Sequence, residues 1–282
     1  MAKVLVTGGA GFIGSHLVDA LVSAGHDVTV FDNLEPQVHG DDSGLPEYYN
    51  HDARFIKGDV RDYDAFKRVL RGQEIVFHQA AMVGVGQSMY QVKRYMDVNT
   101  GGTANLMDII VNHYRADVKK VIVASSMSIY GEGAYVCQQC GRVEPGMRAA
   151  SQMAQKDWEQ RCPTCGVTVQ PAKTPETKRL DATSIYALSK KDQEELILIT
   201  GKSYRIPVVA LRYFNVYGPR QSLNNPYTGV CAIFSSAIKN NNQQIIYEDG
   251  AQSRDFVSVH DIVRANLLAM EHAAADYNVF NV

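Results

Sequence analysis

The 282 residues of this chain suffice for one large domain or two modest ones, and 45% hydrophobic with 21% charged residues excludes a disordered protein. The net charge of −2 provides no basic field for nucleic acid or acidic membranes, and no apolar run approaches the ~20 residues of a transmembrane span. Because the chain begins with a core strand and has five cysteines, we expect a cytoplasmic protein whose cysteines are thiols or metal ligands.

The first predicted elements are a buried strand, a glycine-rich turn and the start of a helix. Residues 4–7 are apolar or β-branched and predict the strand. Gly9, Gly11 and Gly14 match the G-x-G-x-x-G spacing of dinucleotide-binding turns, and Gly8 in place of Gly9 matches the related G-x-x-G-x-x-G spacing. Such glycines let backbone amides approach a pyrophosphate at the N-terminus of the following helix.

The next elements favour NAD as the dinucleotide. Residues 15–24 predict a helix that ends at Gly25, and a strand over residues 28–31 leads into Asp32. Asp32 lies roughly 20 residues beyond the turn, where a carboxylate accepts both ribose hydroxyls. No Arg or Lys follows in residues 33–35 to hold the 2′-phosphate of NADP. A glycine-rich turn and a helix-capping Asp are the structural alternative.

Two further strands are predicted to end at the same edge of the sheet. The strand at residues 55–60 contains Asp59, whose carboxylate would accept the adenine amino group or else cap the next helix. The strand at residues 74–81 ends in small residues such as Ala80, which let the backbone approach the cofactor. We predict that His78, in the same strand, is packed and hydrogen-bonded rather than catalytic.

The alternation of strands and helices continues through the middle of the chain. Residues 89–114 predict a long helical stretch that carries Asn99, and a strand at residues 120–124 leads to Ser126. Five repeats of this alternation predict an α/β fold with a doubly wound parallel sheet, a Rossmann domain. Its functional site is expected at the carboxyl edge of the strands.

A helix that begins near Thr183 carries a pair of residues typical of proton transfer. Tyr186 and Lys190 lie one turn apart on one face of that helix. An ammonium group beside a phenol favours the phenolate, so we predict that the pKa of Tyr186 falls from about 10 towards neutrality. Tyr186 would then serve as a base.

The chain is predicted to form two domains and an insertion. We predict an NAD-binding domain over residues 1–210, interrupted by an insertion at 132–180, and a substrate-binding domain over 211–282. The smaller domain is predicted to contain a loop, a helix, a short strand and a second helix, at residues 224–228, 230–239, 245–247 and 260–272. Because the chain stops within a strand-like run at residues 279–282, we expect this domain to be incomplete.

These motifs occur in an order that resembles a known family. They are the turn at Gly8–Gly14, Asp32, Asp59, Ser126, the Tyr186-x-x-x-Lys190 pair and the run Arg212–Arg220. The chain resembles the extended short-chain dehydrogenase/reductases and, more narrowly, the nucleotide-sugar epimerases and dehydratases. The resemblance implies a nucleotide-sugar substrate, NAD as cofactor and a homodimer formed through helices 89–114 and 184–203.

The resemblance also implies roles for residues at matching positions. Tyr186 is expected to be the catalytic base, Lys190 its electrostatic partner and a ribose ligand, and Ser126 a hydrogen-bond donor to the reacting sugar oxygen. Asn99 is expected to orient Lys190. Tyr186, Lys190 and Asn99 are also expected to contact the cofactor, together with residues at the glycine turn and the strand ends: Gly8, Gly11, Phe12, Ile13, Gly14, Asp32, Asn33, Asp59, Val60 and Ala80.

Four positions are candidates for binding the substrate. The resemblance nominates Asn215 and Arg254 for the diphosphate, because a guanidinium fork suits phosphate oxygens. Arg220 is a further candidate, with a solvated turn arginine as the alternative. Ser88 lies where the family places a sugar contact, and a helix-capping serine is the alternative.

The two residues after Ser126 discriminate among the family's reactions. The 4,6-dehydratases carry an Asp-Glu pair there to eliminate water, whereas this chain has Met127 and Ser128, which cannot act as that acid and base. We therefore predict inversion at C4 of a nucleoside diphosphate hexose through a transient 4-keto intermediate with bound NAD+. The alternatives are a 4,6-dehydratase, a ketosugar reductase and a non-catalytic nucleotide-sugar or NAD-binding module.

Three stretches narrow the expected substrate to a UDP-sugar or dTDP-L-rhamnose. Residues 84–90, 126–133 and 225–230 resemble the branch of dTDP-L-rhamnose 4-epimerases. The nucleotide, the sugar and the epimerised carbon stay open at this point.

The insertion contains two C-x-x-C pairs separated by 21 residues: Cys137 with Cys140 and Cys162 with Cys165. Paired cysteines that are each followed by glycine are typical of zinc knuckles, and four thiolates close a tetrahedral coordination shell. We therefore expect a structural zinc ribbon, with two disulfides or four idle thiols as the alternatives. Because the insertion lies between the predicted catalytic serine and tyrosine, we expect it at the rim of the active site.

Overall fold

The structure is a computed structural model that describes residues 1–41, 44–222 and 229–282. The described strands are β1 (Lys3–Thr7), β2 (Asp27–Asp32), β3 (Arg54–Lys57), β4 (Ile75–His78), β5 (Lys120–Ser126), β6 (Ala134–Cys137), β7 (Gly141–Val143), β8 (Gln170–Ala172), β9 (Val208–Tyr213), β10 (Asn215–Tyr217), β11 (Phe256–Ser258) and β12 (Asn278–Asn281). The described α-helices are α1 (Phe12–Ser23), α2 (Pro36–His39), α3 (Tyr63–Leu70), α4 (Val85–Ser88), α5 (Val92–Tyr95), α6 (Gly102–Ile109), α7 (Ala150–Ala154), α8 (Ile185–Tyr204), α9 (Val230–Lys239) and α10 (Val259–Glu271).

The main sheet is parallel throughout, in the order β12-β9-β5-β4-β1-β2-β3. Its central strands are apolar at consecutive positions because both faces are covered. In β1, Val4 and Val6 enter the core beside α1 and α10, whereas Leu5 enters the core beside α3, α6 and α8. The doubly wound α/β sheet predicted from the sequence is thereby confirmed.

The predicted helix at residues 89–114 begins later than expected and is not regular. It starts at Val92, and π-helical turns at Met96–Gly101 and Ile110–Tyr114 interrupt it on either side of α6. The first of these turns carries Asn99, which is fully buried. Among the described residues, no helix combines the length and apolar character needed to cross a membrane.

The second unit differs from its prediction at one strand. Residues 245–247 form no strand, and within the described chain it is β11 that pairs in parallel with β10. Ile245, Ile246 and Tyr247 are all exposed, because an apolar run cannot become a strand without a neighbouring edge to pair with. The predicted loop at 224–228 and most of the motif at 225–230 lie outside the described residues.

The end of the chain returns to the main sheet. The strand-like run predicted at residues 279–282 forms β12, which pairs with β9, and α10 packs against α1. The predicted division into domains at residue 210 therefore stays a prediction, because parts of both predicted domains contribute to one sheet.

The insertion forms a small unit of its own. Strands β7, β6 and β8 make an antiparallel sheet in that order, accompanied by the short helix α7. Its apolar cluster consists of Cys137, Val143, Cys162 and Val169. Four residues make a very small core, so the unit depends on further cross-links for stability.

Candidate active site and cysteine cluster

A cavity of about 440 Å³ lies at the carboxyl edge of the main sheet, where a doubly wound fold binds its ligands. Most of the residues predicted to bind cofactor or substrate line it. These are Gly8, Gly11, Phe12, Ile13, Gly14, Asp32, Asn33, Asp59, Val60, Ala80, Ser126, Tyr186, Lys190 and Asn215. The structure therefore brings the predicted cofactor turn and the predicted catalytic residues to one site.

Two glycines of the motif that runs from the end of β1 into the first turn of α1 have no room for a side chain. Gly8 has a φ of +69°, and a Cβ there would lie 2.7 Å from the backbone nitrogen of Ala80. A Cβ at Gly14 would lie 2.2 Å from the carbonyl oxygen of Gly8. Gly11, at the N-cap of α1, has only that same oxygen nearby, at 3.4 Å. The turn thus fits a pyrophosphate held by backbone amides at a helix N-terminus.

Asp32 ends β2 and is held by the backbone on both sides. Its two carboxylate oxygens accept hydrogen bonds from the amides of Ala10, at 3.0 Å, and Leu34, at 2.9 Å. Burial raises the pKa of Asp32, and these two hydrogen bonds oppose that rise. The carboxylate is therefore fixed to the glycine turn at the point predicted for the ribose.

Asp59 is held by polar neighbours rather than by a helix end. Its carboxylate accepts hydrogen bonds from Arg61, at 2.7 and 2.9 Å, and from Asn33, at 3.0 Å. Burial by itself would raise the pKa of Asp59, but these hydrogen bonds outweigh it and hold that pKa at about 2. The N-cap of α3 is Asp62, which accepts from the amide of Ala65, so the capping alternative for Asp59 is wrong.

Tyr186 and Lys190 lie on the first turns of α8, against the end of β5. Tyr186 and Ser126, the last residue of β5, both line the cavity; the Ser126 hydroxyl accepts from the amide of Ser128, at 3.2 Å, and lies 3.0 Å from the Ser128 hydroxyl. Lys190 Nζ donates to the carbonyl oxygen of Ala124, at 2.8 Å, and burial lowers the pKa of Lys190 to about 7. Burial raises the pKa of Tyr186, and the side chain of Ser126 opposes that rise.

The prediction that Lys190 lowers the pKa of Tyr186 is therefore wrong for this structure. Both side chains are buried, and removal from water disfavours the charged form of each. The ammonium of Lys190 also points to a backbone carbonyl of β5 instead of the phenol. The helical spacing was sufficient to predict that the two residues share a face, but it could not predict how deeply they are buried.

Asn99 holds the residue next to Lys190 rather than Lys190 itself. Its amide donates to Ser189 Oγ, at 2.9 Å, and to the carbonyl oxygen of Met82, at 3.1 Å, while its oxygen accepts from the Met82 amide, at 2.8 Å. These bonds tie the π-helical turn to α8 and to the loop after β4. A role of Asn99 in orienting Lys190 stays a prediction.

His78 is buried and hydrogen-bonded, as predicted. Its Nδ1 lies 2.8 Å from Thr7 Oγ1 and its Nε2 lies 3.1 Å from Thr103 Oγ1. Burial, followed by the positive charge of Lys190, lowers the pKa of His78 to about 3. The imidazole is therefore neutral and links β4 to β1 and α6.

Among the predicted substrate-binding residues, Asn215 and Ser126 line the cavity. The side-chain amide of Asn215 donates to the carbonyl oxygen of Asp255, at 3.0 Å, and lies 3.7 Å from the sulfur of Met127. Ser88 is not among the described residues that line the cavity; its hydroxyl is fully buried and donates to the carbonyl oxygen of Val85. As the last residue of α4, Ser88 does not cap the start of that helix either.

Neither predicted arginine lines the cavity in the described chain. Arg220 forms an ion pair with Asp19 of α1, at 2.7 Å, and its guanidinium lies 5.1 Å from the ring centre of Tyr48. It is thus neither a cavity residue nor a solvated turn arginine. Arg254 is exposed and donates to the carbonyl oxygen of Ser253, close in sequence to Phe256, which does line the cavity.

One ion pair at the edge of the cavity was not predicted from the sequence. Arg94, at the end of α5, donates to Glu35, at 2.5 Å, and both residues line the cavity. They lie 59 residues apart, so no local pattern connects them. The side chains of Gln37 and Gln87 also hydrogen-bond each other, which adds a second link between these two parts of the chain.

The four cysteines of the insertion converge. Their Sγ atoms all lie within 4.8 Å of one another, and those of Cys137 and Cys165 are 3.5 Å apart. Gly141 and Gly166, which follow the two pairs, both have a φ of +75°, so each turn takes a backbone conformation that favours glycine. No described cysteine is disulfide-bonded, so the disulfide alternative finds no support.

Comparison with known proteins places this architecture in a family. The sequence profile of the NAD dependent epimerase/dehydratase family matches residues 4–146 and 164–282, and its gap falls within the insertion. A dTDP-L-rhamnose 4-epimerase of Burkholderia thailandensis is 36% identical over 282 residues, which cover 99% of this chain and 76% of that protein.

Two solved structures are similar over the whole of this chain. The UDP-N-acetylglucosamine 4-epimerase of Methanobrevibacter ruminantium, in complex with UDP-N-acetylmuramic acid, has a TM-score of 0.76 at 35% identity, covering 100% of this chain and 76% of that one. The UDP-glucose 4-epimerase of Thermus thermophilus, in complex with NAD, has a TM-score of 0.75 at 32% identity, covering 99% and 77%. This chain belongs to the NAD dependent epimerase/dehydratase family.

Proposed function

We propose that this protein is an NAD-dependent nucleotide-sugar 4-epimerase. The observation that carries the proposal is the convergence of Ser126, Tyr186 and Lys190 on the cavity that also contains the glycine turn. Met127 and Ser128 stand where a dehydratase has its Asp-Glu pair, so the same cavity lacks the groups that eliminate water. The relatives named as 4-epimerases of dTDP-L-rhamnose and of UDP-sugars support this substrate class and a role in carbohydrate biosynthesis.

The residues at the cavity fit NAD. The backbone amides of the turn at Gly8–Gly14 would hold the pyrophosphate, Asp32 the adenosine ribose and Asp59 the adenine amino group. Lys190 would bind the nicotinamide ribose. When bound, NAD+ supplies a hydride acceptor for C4 of the sugar and then returns the hydride, which leaves no net oxidation.

In this proposal, side chains of the protein transfer the proton and bind the substrate. Tyr186 would take the proton of the 4-hydroxyl as C4 loses its hydride, and Ser126, which lines the same cavity, would donate to the same sugar oxygen. The resulting 4-keto sugar would turn over, and both proton and hydride would return, the hydride to the opposite face. Asn215 and, from the cavity edge, Arg254 would bind the diphosphate, whereas Ser88 and Arg220 would need to move to contribute.

The test is a product assay without added cofactor. UDP-glucose, UDP-N-acetylglucosamine and dTDP-L-rhamnose are each incubated with the purified protein, and products are resolved by chromatography and mass spectrometry. We expect an isomer of unchanged mass. Tyr186→Phe should slow its formation by about 10²- to 10⁴-fold with bound NAD unchanged, because it removes the proton acceptor alone. Tyr63→Phe, in which the lost hydroxyl is bonded to Asp108 on another face, is the matched control.

Three other outcomes would contradict the proposal. A loss of 18 mass units would indicate dehydration, despite Met127 and Ser128. Stoichiometric consumption of reduced cofactor would indicate a ketosugar reductase. An absence of product from folded, NAD-loaded protein would indicate a binding module.

We further propose that the cysteine cluster binds one structural zinc ion. Zn–S bonds of about 2.3 Å in a tetrahedron place the sulfur atoms about 3.8 Å apart. The four sulfur atoms already lie within 4.8 Å of one another, so they fit the ion with small adjustments. Four protein ligands close the coordination shell, which argues for a structural role. Free thiols in such a cluster also favour a reducing compartment, and we propose the cytoplasm.

The last part of the proposal is a homodimer. The family resemblance implies an interface at the helical stretch that contains α5 and α6 and at α8. Both parts carry exposed apolar side chains in the described structure, Val92 on α5 and Leu188 and Ile199 on α8. Exposed apolar residues on neighbouring helices are consistent with a surface that becomes buried in a dimer.

A further inference from the structure

The cysteine-rich insertion contacts the segment of residues 247–255 that leads to β11. The guanidinium of Arg148, in the insertion, donates to both carboxylate oxygens of Glu248, at 2.7 and 3.0 Å, and to the carbonyl oxygen of Trp158, at 2.8 Å. The side chains of Arg148 and Glu248 are only 20% and 21% exposed. A bidentate pair with little exposure has a defined geometry, so it ties together two segments 100 residues apart.

The segment continues from Glu248 to the cavity through further hydrogen bonds. The amide of Gln252 donates to Glu248 Oε2, at 3.2 Å, and to the carbonyl oxygen of Tyr247, at 3.0 Å. Farther along, the carbonyl oxygen of Asp255 accepts from the backbone and side-chain nitrogens of Asn215, which lines the cavity. Arg254 lies between these two anchor points.

The charges of this region act on one another across the insertion. Burial and Glu132 raise the pKa of Tyr135 in β6, whereas the positive charges of Arg148 and Arg254 oppose that rise. Arg254 also contributes to lowering the pKa of Glu248. The positive charges of both arginines therefore act on Tyr135 and Glu248, which lie on the two sides of this contact.

We propose that the insertion positions Arg254 for the diphosphate of the substrate, with the Arg148–Glu248 ion pair as the link. The proposal rests on the function proposed above, in which Arg254 binds that diphosphate. Arg148 is a positioning residue, because it acts through Glu248 and the segment. A segment held in place loses less conformational freedom when Arg254 binds an anion, so the link increases affinity without adding a contact.

The experiment measures nucleotide affinity rather than turnover. NAD-loaded protein is titrated calorimetrically with UDP and with dTDP, which carry the diphosphate but no sugar. Arg148→Glu and Glu248→Arg should each weaken binding of the preferred nucleotide about fivefold, the scale of one partly exposed ion pair. The double variant, which restores the pair with its charges exchanged, should regain most of the wild-type affinity.

The chain offers a matched control in the same insertion. Arg161 is ion-paired with Asp157, at 2.7 Å, within the insertion. Arg161→Glu makes the same change of charge as Arg148→Glu and should leave nucleotide affinity unchanged. If either charge-reversal variant fails to fold, Arg148→Gln and Glu248→Gln test the same link, and each should weaken binding about threefold.

The possible results separate this proposal from the proposed function. Single variants that bind as tightly as the wild type, while Arg254→Ala binds more weakly, would overturn the positioning role and leave the diphosphate site intact. If the single variants lose nucleotide affinity and the double variant does not regain it, the positioning role is also overturned. If the wild type binds neither UDP nor dTDP, the diphosphate site and the positioning role are both wrong.

Discussion

Burial shifts the pKa of three titratable side chains near the proposed cofactor cavity, Lys190, His78 and Tyr186, towards the neutral form. It lowers the pKa of Lys190 to about 7 and that of His78 to about 3, and it raises the pKa of Tyr186. Each shift favours the neutral form, as expected for groups removed from water. A neutral Tyr186 at the cavity can act as a base only if positive charge at the site assists its conversion to a phenolate.

The buried imidazole of His78 makes the stability of the protein depend on pH. Its pKa of about 3 in the folded state lies below the ordinary value of 6.5, so between these pH values the unfolded chain binds more protons. We expect stability from this residue to be complete above pH 6.5 and to fall on acidification, by at most about 1.4 kcal/mol per pH unit. Free energies of unfolding measured in denaturant at pH 7, 6 and 5 check the slope.

A pair of variants isolates this contribution. His78→Gln should be less stable at pH 7 but should show a shallower decline with acid, because no buried imidazole remains to be protonated. His51→Gln removes an exposed histidine and leaves His78 in place, so it should keep the wild-type slope. Equal slopes for the wild type and His78→Gln would contradict the prediction.

At the scale of elements, α8 is fixed to the sheet by a buried ion pair. Glu194, one turn beyond Lys190, accepts from Arg212 of β9, at 2.5 and 3.0 Å, and from Ser125 of β5, at 2.7 Å. Both charged side chains are almost completely buried. Removing one partner of such a pair leaves an uncompensated charge, at a cost of about 3–5 kcal/mol. This network aligns the helix that carries Tyr186 with the strand that ends in Ser126.

The insertion is the element whose stability should depend on metal. Cys140→Ser combined with Cys165→Ser should abolish binding of one zinc ion per chain and lower Tm by about 5 °C or more, because the small apolar core of this unit cannot hold it together alone. Elemental analysis and thermal unfolding measure the two effects. Cys231→Ser, outside the cluster, is the control and should change neither. Unchanged zinc content in the double variant would contradict the prediction.

At the scale of the whole molecule, one parallel sheet carries two attached units. The sheet holds the glycine turn and the predicted catalytic residues at its carboxyl edge, the insertion emerges after β5, and the pair β10 and β11 borders the cavity at Asn215 and Phe256. The insertion and the segment before β11 meet at the Arg148–Glu248 pair. Parts of the chain that are distant in sequence thus border the site, but no described residue of the insertion lines the cavity, so its predicted place at the rim of the active site stays a prediction.

A dimer of the intact protein is expected in solution. Light scattering should give twice the mass of one chain, and Leu188→Glu combined with Ile199→Glu should reduce it to one chain, because charges on α8 cannot be buried in an apolar interface. Leu268→Glu makes the same substitution at an exposed leucine on α10 and should leave the mass unchanged. A wild-type mass of one chain would show that the predicted dimer is wrong.

The features that depend on local pattern were predictable. Apolar strands that alternate with amphipathic helices indicate a parallel sheet, and the glycines before α1 indicate a turn that no larger residue fits at Gly8 and Gly14. The spacing of Tyr186 and Lys190 and that of the four cysteines likewise led to groups that converge in the structure. The strand predicted at residues 245–247 was wrong because β10 pairs with β11, and pairing partners are not encoded locally.

The amino-acid sequence alone predicted the fold class, the glycine turn, the Tyr186–Lys190 pair and the two cysteine pairs, since each depends on residue types at short, regular spacings. Folding in three dimensions decided which charges are buried and which distant segments meet. In the folded chain, Lys190 donates to a backbone carbonyl, and two ion pairs form, Arg220 with Asp19 and Arg148 with Glu248. Such contacts depend on desolvation and on pairing across long stretches of chain, and neither leaves a periodic signal in the sequence.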